Sequence, residues 1–431
     1  MADPNIAIAI LLGGLLVLIL LRFPIVFAIA ISTTACLLYL GFTPAALVQH
    51  TIRGMSAFNL MAVPFFITMG VLIAAGGVGD KLVGLAHATV GWMRGGLAQV
   101  NLISSTIFGG ISGSPTADVA SVGAVMFPIM MKNGYEPKFT GALTMSSAIQ
   151  GLLIPPSHNM IIFATAAGGV SIGSLFLAAY IPEIIMTTMM ITTVAIISRK
   201  RNYPKGDKFN IIFFLKELAR SFWALAVVFI VVIGVAVGFF TATEAGALAV
   251  LYTLFITIYI YKGIKWRQVW GVLDQAVRTL SIVMILIGVS SAFGFCLTFL
   301  NVPRYAAEFI TGISDNPIAI FIMINIMLLL MGTIMDMAPL ILIATPILLP
   351  VAVDAGMSPI TFGVMIVLNC GIGLITPPVG TTLFVAASVA KQPAESLVRA
   401  NGPFYLVLLV TLLLITYIPA ITLTIPRWFG F

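Results

Sequence analysis

The stretch Gly151–Asn159, GLLIPPSHN, returns 222 positions later as Gly373–Thr381, GLITPPVGT. Two consecutive prolines remove two backbone donors and interrupt a helix. Both stretches lie inside apolar sequence, so each predicts a helix that unwinds within a membrane. Working outward at the same spacing, Gly110 meets Gly332, Pro128 meets Pro350, Gly134 meets Gly356, Pro137 meets Pro359 and Gly141 meets Gly363, with no gap. Residues that dictate backbone geometry match while side chains drift, as in a duplicated structural unit.

Composition sets the class. Of 431 residues, 60% are hydrophobic and 8% charged, against about 25% charged in a soluble domain. The runs Ile6–Leu21, Met61–Ala75, Ala224–Phe240 and Phe404–Ile425 reach or approach the roughly 20 residues that span hydrocarbon as a helix. The short alternating segments of a membrane barrel are absent, so the expectation is an all-α polytopic integral membrane protein. The start, Met1-Ala2-Asp3-Pro4, has no basic residue and no small-residue cleavage site before Arg22. It reads as a retained span over Ile6–Leu21 rather than a cleaved signal. Cys36, Cys296 and Cys370 lack metal or redox spacing and read as small buried residues.

The net charge of +7 is a topology signal, with nothing to suggest nucleic acid. Seven basic residues fall between Arg199 and Arg220, and four more between Lys262 and Arg278. Basic residues gather in short cytoplasmic connections. Both segments are therefore placed inside, joined by two spans, Phe222–Phe239 and Ala242–Tyr261. Lys132 and Lys138 put the base of the first unit inside, whereas Asp354 puts the equivalent base outside. The halves are expected to be inverted, as in secondary transporters. The first repeat is placed at 1–198, a basic linker at 199–221 and the second repeat at 222–431. Hairpins are expected at 95–132 and 317–354, and broken helices at 139–178 and 360–390.

The hairpin tips are Gly109–Pro115, GGISGSP, and Gly332–Pro339, GTIMDMAP. Their flanking apolar runs, about a dozen to sixteen residues, are too short for two full spans, so both read as re-entrant. Unwound backbone survives in hydrocarbon only where protein or a ligand satisfies it. Freed carbonyls with the hydroxyls of Ser112, Ser114, Ser157, Thr333, Thr376 and Thr381 would form an oxygen-rich cage suited to Na⁺, while helix N-termini nearby suit a carboxylate. One such break alone reads as a kink, but four at paired positions read as a site. Asp336, at a tip, is assigned to the cation site or its surroundings. Asp118 either serves function or caps and pairs within its hairpin. His158 is a proton relay, a substrate contact or a satisfied core histidine. His50 and His87 fall in connections, and Glu183 and Glu244 read as interfacial. The segments 80–94 and 303–314 read as interfacial helices. No arginine in a core segment presents itself as a carboxylate clamp.

At Gly109–Asp118 (GGISGSPTAD), Met335–Pro350 and Asn369–Val385 (NCGIGLITPPVGTTLFV), the chain resembles the large membrane subunit of tripartite ATP-independent periplasmic (TRAP) transporters. The resemblance covers almost the whole chain. It implies an elevator-type importer in the bacterial inner membrane, with Na⁺ as coupling ion and no other cofactor. Implied partners are a separate small membrane subunit and a periplasmic substrate-binding protein that delivers an organic acid of the C4-dicarboxylate or sialic acid class. Tips and unwound loops would then hold Na⁺ at Gly110, Ser112, Gly113, Ser114 and Pro155, and at Gly332, Thr333, Met335, Asp336, Thr376, Pro377 and Gly380. Ser112, Ser157, Asn159, Asp336 and Thr381 would flank the substrate.

The rival readings are an autonomous Na⁺/carboxylate symporter needing no binding protein, a channel, and an intramembrane enzyme. Against the last stand the absence of H-E-x-x-H and G-x-S-x-G patterns and only three scattered histidines. No G-x-x-x-x-G-K phosphate loop is present either.

Overall fold

Pro137 and Pro359 each stand at the first position of a helix, where a missing N–H costs nothing and the fixed φ favours the turn. The two helices, Pro137–Gln150 and Pro359–Leu374, stop before the double prolines and resume as His158–Ala166 and Thr381–Ala390. The Pro155-Pro156 and Pro377-Pro378 bonds are both cis. These are the two broken helices. The computed structural model describes residues 3–21, 23–56, 58–206 and 208–431; Met1, Ala2 and Arg22 lie outside the described residues. Among those described, the architecture is all-helical, with a single isolated bridge between Arg94 and Lys205.

Each broken helix is preceded by a helical hairpin. The first has arms Gly96–Ser112 and Pro115–Lys132; the second has arms Pro317–Gly332 and Met337–Asp354. Gly113 ends the first arm at φ 65°, a left-handed conformation that glycine adopts at little cost. Ser114 then caps the next helix, its hydroxyl accepting the Ala117 N–H at 3.4 Å. The second tip, Thr333–Asp336, has no left-handed residue, and Asp336 occupies the capping position in extended conformation without a side-chain cap bond. The second arms Pro115–Lys132 and Met337–Asp354 are offset by 222 at both ends, as are the helices Ile172–Ala178 and Ala394–Ala400.

The hairpins pack on their own broken helices, and the partners also cross. His158–Ala166 lies on the second hairpin's Met337–Asp354, and Thr381–Ala390 on the first hairpin's Pro115–Lys132. A built Cβ on Gly373 would lie 2.5 Å from the Gly332 carbonyl carbon, so hairpin arm and broken helix touch backbone to backbone. Around this block run Ala62–Ala75, Ile211–Ala236, Ala242–Phe255 and the 34-residue helix Trp266–Phe299, which contacts Met337–Asp354. Large apolar side chains such as Phe229, Leu251, Ile282, Leu330 and Leu406 are exposed, which is the surface a bilayer covers.

The basic segment joins the base of the first hairpin. Arg201 pairs with Glu136 at 2.6 Å and stands over the Phe139 ring, Arg94 donates to Asn202, and Tyr203 packs on Tyr135. Lys132, Lys138 and the 199–205 cluster therefore share one end of the molecule.

Several expected boundaries move. The linker 199–221 is irregular only between Arg201 and Asn210, because apolar Ile211–Leu215 already starts a helix; Lys216 and Arg220 are helical. The expected spans Phe222–Phe239 and Ala242–Tyr261 become Ile211–Ala236 and Ala242–Phe255, the latter continuing through a π-helical turn, Ile256–Ile260. Ile6–Leu21 holds a π-helical turn at Ala9–Gly13. Phe404–Ile425 is broken at Ile418, because Pro419 cannot continue the preceding helix. Three of the four hairpin arms, at 17, 18 and 18 residues, exceed the expected dozen to sixteen, and Pro317–Gly332 has 16. Val78–Val90 and Val302–Ile313 occupy the segments read as interfacial helices.

Candidate functional site

Four helices begin at one point. Pro115–Lys132, His158–Ala166, Met337–Asp354 and Thr381–Ala390 all place their first residues around a cavity of about 180 Å³. The unsatisfied N–H groups of a helix start carry the positive end of its dipole. Four such ends directed at one small space make it favourable for an anion.

The lining repeats the sequence spacing. Ser114 and Asp336, Pro115 and Met337, Thr116 and Ala338, and Asn159 and Thr381 all face the cavity, and each pair is 222 residues apart. The walls thus have matched backbone and unmatched chemistry. The first tip contributes hydroxyls, with Ser114 Oγ and Thr116 Oγ1 in hydrogen-bond contact at 3.0 Å. The second contributes the Asp336 carboxylate. His158 stands beside Gly113, where a built Cβ would come within 2.7 Å of its Nδ1; the glycine makes room for the imidazole.

The residues expected to hold cations lie one step behind. Ser112 Oγ accepts the Ser114 N–H at 3.4 Å. The ends of Gly96–Ser112 and Pro137–Gln150 meet where Gly109 touches Gly151, and Gly110 lies against Ile154. In the second half Gly332 touches Gly373, while the Thr333 carbonyl accepts the N–H groups of Val379 at 3.0 Å and Gly380 at 3.4 Å. The Thr333 and Thr376 hydroxyls donate to the Leu330 and Ile372 carbonyls, and Tyr405 donates to the Ile375 carbonyl. Part of the expected oxygen cage is therefore already engaged within the protein. Helix C-termini, the negative ends, pair up here, so each hairpin–loop junction favours a cation while the central space favours an anion.

Of the residues expected to hold a cation or flank substrate, the structure brings Gly113, Ser114, Asn159, Asp336 and Thr381 to the cavity. Gly110, Ser112, Pro155, Ser157, Gly332, Thr333, Met335, Thr376, Pro377 and Gly380 do not line it. Ser157 is fully buried, and its hydroxyl has no hydrogen-bond partner among the described residues. Sequence reasoning missed Thr116, Ile162, Leu374 and Val283. Thr116 was within reach of it, two positions beyond a tip serine. Val283 was not, since it belongs to an uninterrupted apolar run in a helix outside both hairpins. Asp118 is fully buried, and among the described residues neither of its carboxylate oxygens has a hydrogen-bond partner.

Comparison with known proteins shows the family. The family profile "Tripartite ATP-independent periplasmic transporter, DctM component" matches residues 12–421. The chain is 39% identical to the uncharacterized protein YgiK of Salmonella typhimurium, over 98% of each chain. It is 35% identical to the 2,3-diketo-L-gulonate TRAP transporter large permease protein YiaN of Escherichia coli, over 98% of this chain and 99% of that one. It is 34% identical to the C4-dicarboxylate TRAP transporter large permease protein DctM of Pseudomonas aeruginosa, over 86% and 87%. In fold it is similar to the crystal structure of the Alcanivorax borkumensis YdaH transporter, with a TM-score of 0.63 at 12% identity, over 89% of this chain and 88% of that one.

Proposed function

Because the chain belongs to the DctM family, the large membrane subunits of TRAP transporters, we propose that it imports an organic acid anion by Na⁺-coupled alternating access. The observation that carries this is the convergence of four helix N-termini on one cavity. Such a site attracts a carboxylate without a resident cation. Relatives named for C4-dicarboxylate and 2,3-diketo-L-gulonate support a small carboxylate as cargo, with sialic acid in the same chemical class.

Na⁺ binds at the two hairpin–loop junctions, where paired helix C-termini supply main-chain oxygens to a hard cation. It offsets the charge of Asp336 beside the arriving anion and so links cargo binding to the ion gradient. The two halves are inverted, and the hairpins re-enter from opposite faces. The grouping of Arg94, Lys132, Lys138 and the 199–205 cluster at one end supports placing that end in the cytoplasm. The crossed packing of hairpins and broken helices favours their moving as one block, elevator-fashion, against the surrounding long helices. The chain sits in the bacterial inner membrane with a small membrane subunit, and a periplasmic binding protein delivers the acid.

The test is uptake into proteoliposomes holding the chain and both partner subunits. The acid is first chosen by thermal-shift screening of the binding protein against C4-dicarboxylates, sugar acids and sialic acid. Uptake that follows an inward Na⁺ gradient supports the reading, and uptake unchanged without Na⁺ contradicts it.

A further inference from the structure

A second cavity, of about 380 Å³, adjoins the first. Three helices line both, one turn apart. On His158–Ala166, Ile162 faces the first cavity and Thr165 and Ala166 the second. On Trp266–Phe299 the pair is Val283 and Ile287, and on Met337–Asp354 it is Ala338 and Leu342. Residues four apart lie on the same helical face, separated by a single turn of about 5.4 Å. The two spaces are thus successive chambers between the same three walls.

The chemistry of the second chamber differs. Arg53, on the helix Pro44–Met55, lines it and makes no ion pair or hydrogen bond among the described residues. His50 lines it one turn earlier, its ring stacked on Phe295 at 3.9 Å. Ser290 faces it too, 2% exposed and with its hydroxyl unpartnered. Ser291 adds a further hydroxyl, while the Thr298 and Thr165 hydroxyls on the lining donate to the Gly294 and Ile161 carbonyls. An unpaired guanidinium offers a planar fork of donors that fits a carboxylate. The Ser290 hydroxyl is free to donate to a group that enters the chamber. The volume falls within the range of small-molecule pockets, whereas the first chamber is smaller than that range.

We propose that this chamber is a second carboxylate-binding station, in which Arg53 holds the organic anion before it passes to the cavity between the hairpin tips. The inference rests on the transport reading for its direction. Trp266–Phe299 starts beside the basic 262–267 segment taken as cytoplasmic, so Ile287–Thr298 runs toward the periplasmic side. The station is therefore on the side from which the binding protein delivers. It supplies the arginine clamp that no core segment offered. Selection occurs on a fixed scaffold helix, and release from Arg53 precedes contact with Asp336.

Thiol chemistry tests this without relying on uptake. Thr298→Cys, in the full chain with its small subunit in lipid nanodiscs, is labelled with an anionic (sulfonatoethyl) or a cationic (trimethylammonioethyl) methanethiosulfonate. The native Cys36, Cys296 and Cys370 are at most 1% exposed and leave the background low. The anionic-to-cationic rate ratio is expected to fall roughly tenfold in Arg53→Gln and to persist in Arg53→Lys. Millimolar acetate, succinate or gluconate is expected to slow labelling when Arg53 is present and not in Arg53→Gln. A ratio unmoved by Arg53→Gln overturns the proposal, as does failure of all three carboxylates to protect. Thr165→Cys, on the opposite wall, gives the same reading if Thr298→Cys does not fold. Loss of Na⁺ dependence in uptake would defeat the transport reading and leave this charge preference standing.

Discussion

Asp336 occupies the place that Ser114 holds in the first half, at the start of a helix facing the cavity. One duplicated position has thus become a neutral hydroxyl on one wall and a carboxylate on the other. On the proposed reading, that asymmetry is what lets a site favourable to anions also respond to Na⁺. Asp336→Asn should keep the fold and lower uptake on the order of tenfold or more, about 1.4 kcal/mol of lost coupling, with the Na⁺ concentration for half-maximal rate shifted. Transport kinetics at varied Na⁺ check this, and wild-type Na⁺ dependence would count against it. Gly113→Ala faces a left-handed φ of 65° and a contact of 2.7 Å with the His158 ring. The backbone cost alone is about 1–2 kcal/mol, so the tip should shift and uptake should fall severalfold with the protein still inserted. That Asp336 and Ser114 stand at the hairpin tips was legible in the sequence, because a carboxylate is costly in hydrocarbon unless used and Ser114 lies between a glycine and a proline. Arg53 was not, because nothing local distinguishes it from an interfacial arginine until the helix carrying it is seen against Ser290 and Ile287.

At the scale of elements, a repeat of glycines and prolines becomes a set of paired helix ends. The double prolines at 155–156 and 377–378 interrupt helices where the sequence placed them, whereas the tips are shorter than the expected 109–115 and 332–339, at 113–114 and 333–336, because Gly109–Ser112 and Met337–Pro339 stay helical. Glycine and proline restrict the backbone independently of tertiary context, which is why these points were readable. Helix ends set by packing moved instead: the basic segment lost Lys216 and Arg220 to a helix, and the C-terminal apolar run divided at Pro419. The backbone contact between Gly332 and Gly373 belongs to this scale. Gly373→Ala places a Cβ at 2.5 Å from the Gly332 carbonyl carbon, an overlap that neither backbone can relieve alone. Overpacking of this kind costs about 1–3 kcal/mol, so the melting temperature in detergent should drop by several degrees. Gly271→Ala, with open space around it, serves as the control and should leave it unchanged or raised. Equal melting of the two variants would show that the contact carries no such constraint.

At the scale of the whole molecule, the two halves pack across one another, and the cavity between the hairpin tips also touches Val283 on a surrounding helix. The proposed elevator motion requires that boundary to slide. A Val283→Cys, Ile162→Cys pair bridged by a bifunctional thiol reagent should stop uptake, and a cleavable bridge should restore it on reduction. Uptake that continues through the bridge would show that the boundary stays fixed. Which residues cross this boundary was invisible in the sequence, since Val283 sits in an unbroken apolar run and only three-dimensional packing selects it. The most direct measurement is a cryo-EM structure of the chain with its partner subunits in Na⁺ and a transported acid. The acid's carboxylate is predicted among Ser114, Asn159, Asp336 and Thr381, with Na⁺ density at the hairpin–loop junctions behind them. Cargo density elsewhere in the chain, with those four residues in contact only with one another, would contradict the account.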